Sequence, residues 1–364
     1  MYFNIPTKLY FTPEVLANYG SMIVNFGKKA LLVTGKTSAE KSGVLADLLP
    51  ILQRDKISYT IFSEIMENPE TSVIDKGTRI LNDIKCDFLI AIGGGSPIDA
   101  TKAIAIQYAN NLHISEIYHI EKHKKALPII AIPTTSGTGS EITQYSVLTS
   151  SENGTKAGFG SELIFPKIAF LDAKYTFSLS KTITRDTAID ALSHLLEGLY
   201  SNKYNEYLMP IIYHGVKLIF DNLVPCMAEP ANIKHREALM LASNYGGVVI
   251  AHTSTTLQHS IGYPLTTTFG VSHGLANGLV MKQIMELYEP YLNDRLTLLF
   301  NHLKITKNQF FDWLDTLQMK FVGRIDNEFL SQKVSEVMKS RNMALNPVQI
   351  NEEEIKKIYI SIND

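Results

Sequence analysis

Asp190 and His194 stand four residues apart in Asp186-Thr-Ala-Ile-Asp-Ala-Leu-Ser-His194, a stretch that reads as helix. That spacing puts a carboxylate and an imidazole on one helical face. Both are donors suited to a first-row divalent metal such as Fe²⁺, Zn²⁺, Co²⁺ or Ni²⁺, although an isolated pair of this kind is more often a helix-surface hydrogen bond. Downstream, Leu257-Gln-His259 and Ser272-His273-Gly-Leu-Ala-Asn277 supply two more imidazoles. Pro264 and Gly270 are expected to interrupt the helix between them. His259 would then lie near the end of one helix and His273 at the start of the next, behind Ser272 as N-cap, so that the two converge from different directions. His252, seven residues before His259, is an alternative ligand. Three histidines and one aspartate fill four positions, and a catalytic ion needs one more left open. The other histidines, at 113, 119, 123, 214, 235 and 302, have no partner at ligand spacing and read as surface or hydrogen-bonded residues.

A second kind of chemistry lies upstream. Asp87-Phe-Leu-Ile-Ala-Ile-Gly-Gly-Gly-Ser-Pro-Ile-Asp99 joins an apolar strand to a helix through Gly93, Gly94 and Gly95. Ser96 reads as N-cap, Pro97 as the first helical residue and Asp99 as the third. Free N–H groups and the positive end of the helix dipole would face an anion there, and a pyrophosphate would fit. The bland alternative is a tight turn with no ligand. A second loop, Pro133-Thr-Thr-Ser-Gly-Thr-Gly-Ser-Glu141, is rich in hydroxyls and glycine and follows another apolar strand. Two such loops at the carboxyl edge of one parallel sheet point to a dinucleotide, although neither has the G-x-G-x-x-G spacing.

The first central strand ends Val33-Thr-Gly-Lys-Thr-Ser-Ala-Glu-Lys41. Sites that take NAD often place an acid at this point to bond the ribose 2′-hydroxyl. Here stands Gly35, followed by Lys36, Ser38 and Lys41, which suits the 2′-phosphate of NADP. The competing reading is a surface loop with solvated lysines.

These groups need a frame. The chain has 364 residues, 45% hydrophobic and 19% charged, with 34 Lys plus Arg against 36 Asp plus Glu. Such a composition excludes disorder and predicts two domains. It offers no basic field for nucleic acid. No signal peptide and no apolar stretch of membrane-spanning length is evident, so a cytoplasmic protein without membrane contact is expected. Cys86 and Cys226 are far apart and read as buried reduced thiols. Strands are predicted at 30–34, 59–62, 88–92, 129–132 and 168–171, alternating with helices at 42–53, 72–84 and 97–109. This is βαβ logic and implies a mostly parallel, Rossmann-like sheet covered on both faces. Beyond residue 178 the strand signal disappears, and helices are predicted at 187–200, 205–222, 234–251 and 273–288. The expected fold is an α/β domain over 1–177 followed by an all-α domain over 178–364.

Taken in order, Gly-Gly-Gly-Ser-Pro-Ile-Asp99, Pro-Thr-Thr-Ser-Gly-Thr-Gly-Ser-Glu141, Asp190-Ala-Leu-Ser-His194, and His259 with His273-Gly-Leu-Ala-Asn277 resemble the iron-containing, group III, alcohol dehydrogenases over essentially the whole chain. The resemblance implies a dehydroquinate synthase-like architecture, with a metal in the cleft between the domains held by Asp190, His194, His259 and His273. It implies that Gly93 to Ser96 and Asp99 bind the pyrophosphate, that Thr134, Thr135, Thr138 and Ser140 line the rest of the cofactor, and that Lys156 lies near the nicotinamide ribose. The metal, Fe²⁺ or Zn²⁺, would act as a Lewis acid while hydride passes between nicotinamide C4 and the carbon of a small alcohol or aldehyde. NADP is the expected cofactor, with NAD as the alternative, and the family's habit implies a homodimer.

Two departures from the family pattern stand out. Tyr263 occupies the position, four residues after the third ligand, where many members carry a further histidine. It is a candidate proton donor, or else a wall of the pocket. Phe11-Thr-Pro-Glu14 replaces the family's usual Phe-Gly-x-Gly turn. The rival readings are a zinc-dependent glycerol-type polyol dehydrogenase, a 3-dehydroquinate-synthase-like cyclase, and a catalytically degenerate metal- and nucleotide-binding protein.

Overall fold

A computed structural model describes residues 3–363. The chain divides into two compact units, one comprising Asn4–Ser180 with Pro230–Met240, the other Lys181–Glu229 with the residues from Leu241 onward.

The first unit is built on strands β1 (Lys8–Phe11), β2 (Lys29–Gly35), β3 (Ser58–Ile65), β4 (Phe88–Gly93), β5 (Ile129–Pro133), β6 (Tyr145–Thr149), β7 (Lys156–Gly160) and β8 (Ile168–Leu171). Six of them form one sheet in the order β1-β8-β5-β4-β2-β3, with every pairing parallel. Strands β4 and β5 are apolar throughout because both faces are buried. Leu32, Ile90, Ile92, Ile130 and Ile132 enter one core, while Leu31, Val33, Leu89 and Ile129 enter the other. Helices α1 (Val15–Tyr19), α2 (Ser38–Lys41), α3 (Val44–Arg54), α4 (Thr71–Ile84) and α5 (Gly95–Asn110) belong to this unit. Gly77 lets α4 approach α5, since a Cβ there would lie 2.5 Å from Ile104 Cδ1.

Two features of this unit depart from the expectation. β1 and the antiparallel hairpin β6–β7 carry no long apolar run, so no sequence signal marked them. Helix α5 begins at Gly95 with Gly94 as its cap residue, which places Ser96 and Pro97 inside the first turn. Pro97 is tolerated there because the first N–H groups of a helix have no intrahelical partner to lose. The turn before α1 is closed by Glu14 at φ 53°, the left-handed conformation that glycine adopts most readily, and the Glu14 N–H donates to Asp172 Oδ2 at 2.7 Å.

Helices α6 (Lys181–Tyr200), α7 (Met209–Ala228), α8 (Ile233–Thr253), α9 (Leu257–Phe269), α10 (His273–Leu279), α11 (Met281–Leu303), α12 (Lys307–Thr316), α13 (Asn327–Met338) and α14 (Glu352–Ile360) follow. Among the described residues none of the helices is long and apolar enough to cross a membrane. The last two turns of α6 are buried on all sides, which explains why Leu195, Leu196, Leu199 and Tyr200 follow one another without a polar face. The stretch 273–288, expected as one helix, is two, parted at Val280. Cys86 and Cys226 are buried thiols, as expected, and burial pushes the Cys86 thiol up to about 11.

Candidate metal centre and nucleotide-binding loops

The helical unit brings its donors together on α6, α9 and α10. Asp190 and His194 face the same way from α6, both buried. His259 lies in the first turn of α9 and not near its C-terminal end as expected, because Pro264 is accommodated within α9 and the helix runs on to Phe269. His273 opens α10. Asp190, His259 and His273 each turn one donor atom to within 4.8 Å of the other two. His194 Nε2 is 3.9 Å from Asp190 Oδ1 and 3.1 Å from His259 Nε2. Asp190 Oδ1 is 3.7 Å from His259 Nε2 and 3.5 Å from His273 Nε2. Ligands about 2.1 Å from one tetrahedral ion stand roughly 3.4 Å from each other, so these separations suit a single divalent cation. One carboxylate and three imidazoles also match the donor preference of iron or zinc.

The close packing of α10 on α6 makes this convergence possible. A Cβ at Gly274 would stand 1.8 Å from the carbonyl oxygen of Asp186. Glycine is therefore required directly beside His273. Ser272 is the N-cap residue of α10, as expected, but its hydroxyl bonds to the Asp186 carboxylate, at 2.5 Å, and not to the helix. His252 sits in the last turn of α8, its Nδ1 2.7 Å from the Val248 carbonyl and its ring stacked on Phe3, outside the group of converging donors. Tyr263, one turn after His259, stacks on the His273 ring at 5.6 Å between centroids and lies edge-on to His259 at 6.2 Å.

Two neighbours of the donors carried no role in the sequence reading. Glu197, fully buried, bonds through Oε2 to His259 Nδ1, while Oε1 accepts from the Thr256 N–H at 2.7 Å and the Thr256 hydroxyl at 2.9 Å. Burial favours the protonated acid, but the attraction of His259 and the hydrogen bonds from His259 and Thr256 outweigh it and hold this carboxyl below its usual range. Asn277 Nδ2 donates to Asp190 Oδ1 at 3.1 Å and faces His259 Nε2 at 3.2 Å. The signal for Glu197 was available: it is a lone acid in the otherwise apolar run Leu195-Leu-Glu-Gly-Leu-Tyr200, one turn after His194.

In the other unit, β4 and β5 pair in register from Leu89↔Ile129 to Gly93↔Pro133, so the two glycine loops leave the sheet side by side. Gly93 has φ +148°, a conformation open to glycine. The side chains of Thr135 and Thr138 lie where a Cβ on Gly94 or Gly95 would be, at 3.0 and 2.5 Å. Thr134 N–H bonds to the Gly93 carbonyl at 2.9 Å. Asp99 Oδ1 accepts from the Ser140 hydroxyl and Oδ2 from the Val147 N–H at 2.9 Å, so this carboxylate ties α5 to the second loop. Lys102, completely buried, completes the tie by donating to the Ser140 carbonyl at 2.7 Å, Ser140 Oγ at 2.9 Å, Thr143 Oγ1 at 3.2 Å and the Tyr145 carbonyl at 2.8 Å. Lys156 Nζ donates to Asn68 Oδ1 at 2.8 Å. Gly35 ends β2, Ser38 opens α2, and Lys36 and Lys41 are exposed beside them.

The chain thus combines a parallel α/β unit carrying paired glycine loops with a helical unit carrying a carboxylate–imidazole cluster. Residues 6–173 match the family model for iron-containing alcohol dehydrogenase, and residues 184–362 match that for the C-terminal domain of the same family. The crystal structure of an iron-containing alcohol dehydrogenase from Thermotoga maritima superposes with a TM-score of 0.94 at 36% identity, covering 100% of this chain and 99% of that one. The sulfoacetaldehyde reductase of Bilophila wadsworthia is 34% identical over 251 residues, 69% of this chain and 65% of the relative. The aldehyde-alcohol dehydrogenase of Streptococcus pneumoniae is 29% identical over 246 residues, 64% of this chain, and the match spans only 28% of that protein's length. The chain belongs to the iron-containing alcohol dehydrogenase family.

Proposed function

We propose that the protein is a metal-dependent, nicotinamide-linked alcohol dehydrogenase acting on a small primary alcohol or, in reverse, its aldehyde, with NADP(H) preferred. The observation that carries this reading is the meeting of Asp190, His259 and His273 donor atoms within 4.8 Å, with His194 beside them, in a chain of this family. Asp190, His194, His259 and His273 would hold a divalent ion, which would supply Lewis acidity toward the substrate oxygen. Asp190 offsets part of the ion's charge, and the three imidazoles bind as neutral ligands. A nicotinamide bound at the glycine loops would supply the hydride for aldehyde reduction, and the product oxygen would need a proton. Tyr263, beside two of the ligands, is the residue proposed to hold that proton.

Gly93, Gly94, Gly95 and Ser96 are assigned to the pyrophosphate, and Thr134, Thr135 and Thr138 to the wall next to it. Asp99 and Ser140 act by keeping the two loops in register. Lys156 is assigned to the nicotinamide ribose. Gly35, Lys36, Ser38 and Lys41 are assigned to the adenosine 2′-phosphate: Gly35, not an acid, ends β2, and two exposed lysines follow it. In this division of labour residues 1–177 hold the cofactor and 178–364 the metal. The setting proposed is a cytoplasmic homodimer with a small-molecule substrate and no nucleic-acid or membrane partner.

The test is reconstitution. Metal-free protein is expected to be inactive, and addition of Fe²⁺ or Zn²⁺ to restore aldehyde-dependent oxidation of NADPH, with kcat/KM at least about tenfold above that with NADH. Full metal and cofactor occupancy without turnover over a broad aldehyde and alcohol panel would sink the enzymatic reading. Equal kcat/KM for the two cofactors would remove the NADP assignment alone.

A further inference from the structure

We propose that Glu197 is the positioning residue of the metal centre: it fixes the tautomer of His259 and, with the same carboxylate, the start of the helix that carries it. The inference rests on the metal reading above.

The two oxygens of Glu197 have separate partners. Oε1 accepts from the Thr256 N–H, the Thr256 hydroxyl and, at 3.3 Å, the His259 N–H, so it caps the first turn of α9. Oε2 bonds to His259 Nδ1. An ionised carboxylate has no hydrogen to give, so Nδ1 must carry one. A neutral imidazole protonated at Nδ1 has a bare Nε2, and that is the nitrogen directed at Asp190 and His194. Asn277 gives the same answer independently. The Asp190 carboxylate at 3.1 Å needs a donor, which fixes the amide nitrogen of Asn277 on that side, and the same nitrogen faces His259 Nε2 at 3.2 Å as donor to acceptor. Both contacts mark Nε2 as the bare nitrogen of the ring; it has a single lone pair, so the Asn277 contact gives way when an ion binds and the Glu197 bond alone holds the ligating tautomer. A carboxylate behind a ligating imidazole also raises its basicity.

Glutamine has nearly the same shape and cannot satisfy this arrangement. With its oxygen toward Thr256, its NH₂ faces Nδ1, forces the ring proton onto Nε2 and blocks ligation. Turned over, its NH₂ meets the Thr256 N–H and the cap is lost. Glu197→Gln should thus weaken metal binding 10- to 100-fold in a folded protein. Thr256→Val removes a cap contact and leaves the Glu197–His259 bond, so its metal affinity should stay within about twofold of wild type while its stability falls.

Zn²⁺ and Co²⁺ dissociation constants are to be measured by chelator competition on wild type, Glu197→Gln and Thr256→Val, with circular dichroism as the check on folding. The ligand-field spectrum of the Co²⁺ forms should change for Glu197→Gln and not for Thr256→Val. Wild-type affinity in a folded Glu197→Gln protein overturns the inference, as does an equal loss in Thr256→Val, which would mean only that the helix start had loosened. Should Glu197→Gln not fold, nitrogen-15 spectra of the histidines in the zinc-loaded wild type decide: His259 with Nδ1 protonated is expected, and Nδ1 bare overturns the proposal. A wild-type protein that takes up no ion fails the metal reading itself, whereas the outcomes above fail the Glu197 assignment alone.

Discussion

Gly274 shows how one missing side chain shapes the centre. A methyl group there would stand 1.8 Å from the Asp186 carbonyl, and backbone cannot yield as a flexible side chain can. Gly274→Ala is expected to cost roughly 2–3 kcal/mol, read by chemical denaturation, and to lower metal occupancy because His273 is displaced with α10. Tyr263 is a different case, since its ring stacks on His273 and lies edge-on to His259. Tyr263→Phe should keep metal and cofactor affinity and lower kcat for aldehyde reduction by about 10²-fold, the usual span for a general acid. A kcat unchanged across pH would reduce Tyr263 to a wall of the pocket. At this scale the convergence of donor side chains was legible because imidazole and carboxylate spacing is a chemical statement. Glu197 and Asn277 were not read, since a hydrogen bond to a ligand across separate helices leaves only the faint mark of a polar residue in an apolar run.

Among the elements, α5 and the loop after β5 are held by a buried ammonium. Burial pushes Lys102 down to about 8, against the pull of Asp99 and Glu141. Below pH 8 both folded and unfolded chains carry the proton and this group adds no pH dependence. Between about 8 and 10.5 the folded protein has released a proton that the unfolded chain still holds, so stability rises with pH, by up to about 3 kcal/mol. Lys102→Met should lose that rise, and the difference between the two unfolding profiles across this window is the measurement. Strands β2, β4, β5 and β8 could be read within a residue or so, because apolar runs buried on both faces are dictated by the sheet itself. β1 and the β6–β7 hairpin could not, since their stability comes from neighbours distant in sequence. Pro264 argues for a break that would put His259 near the C-terminal end of its helix, whereas it stands at the N-terminal end of α9. Tertiary packing of α9, with Ile261 and Leu265 fully buried, outweighs the one hydrogen bond that proline removes.

The chain as a whole has two compact units, one with paired glycine loops at a sheet edge, the other with a cluster of donors on three helices. Sequence order alone carried the assignment of family, because the motifs fall in succession along nearly the full length. Substrate choice was not legible, as it depends on side chains gathered from many positions with no spacing of their own. X-ray absorption at the zinc edge of the zinc-loaded protein bears most directly on the centre. One oxygen and three nitrogen scatterers from the protein at about 2.0–2.2 Å, lost in Asp190→Ala, are the result expected. An all-oxygen shell of water, or a spectrum that Asp190→Ala leaves unaltered, would contradict it.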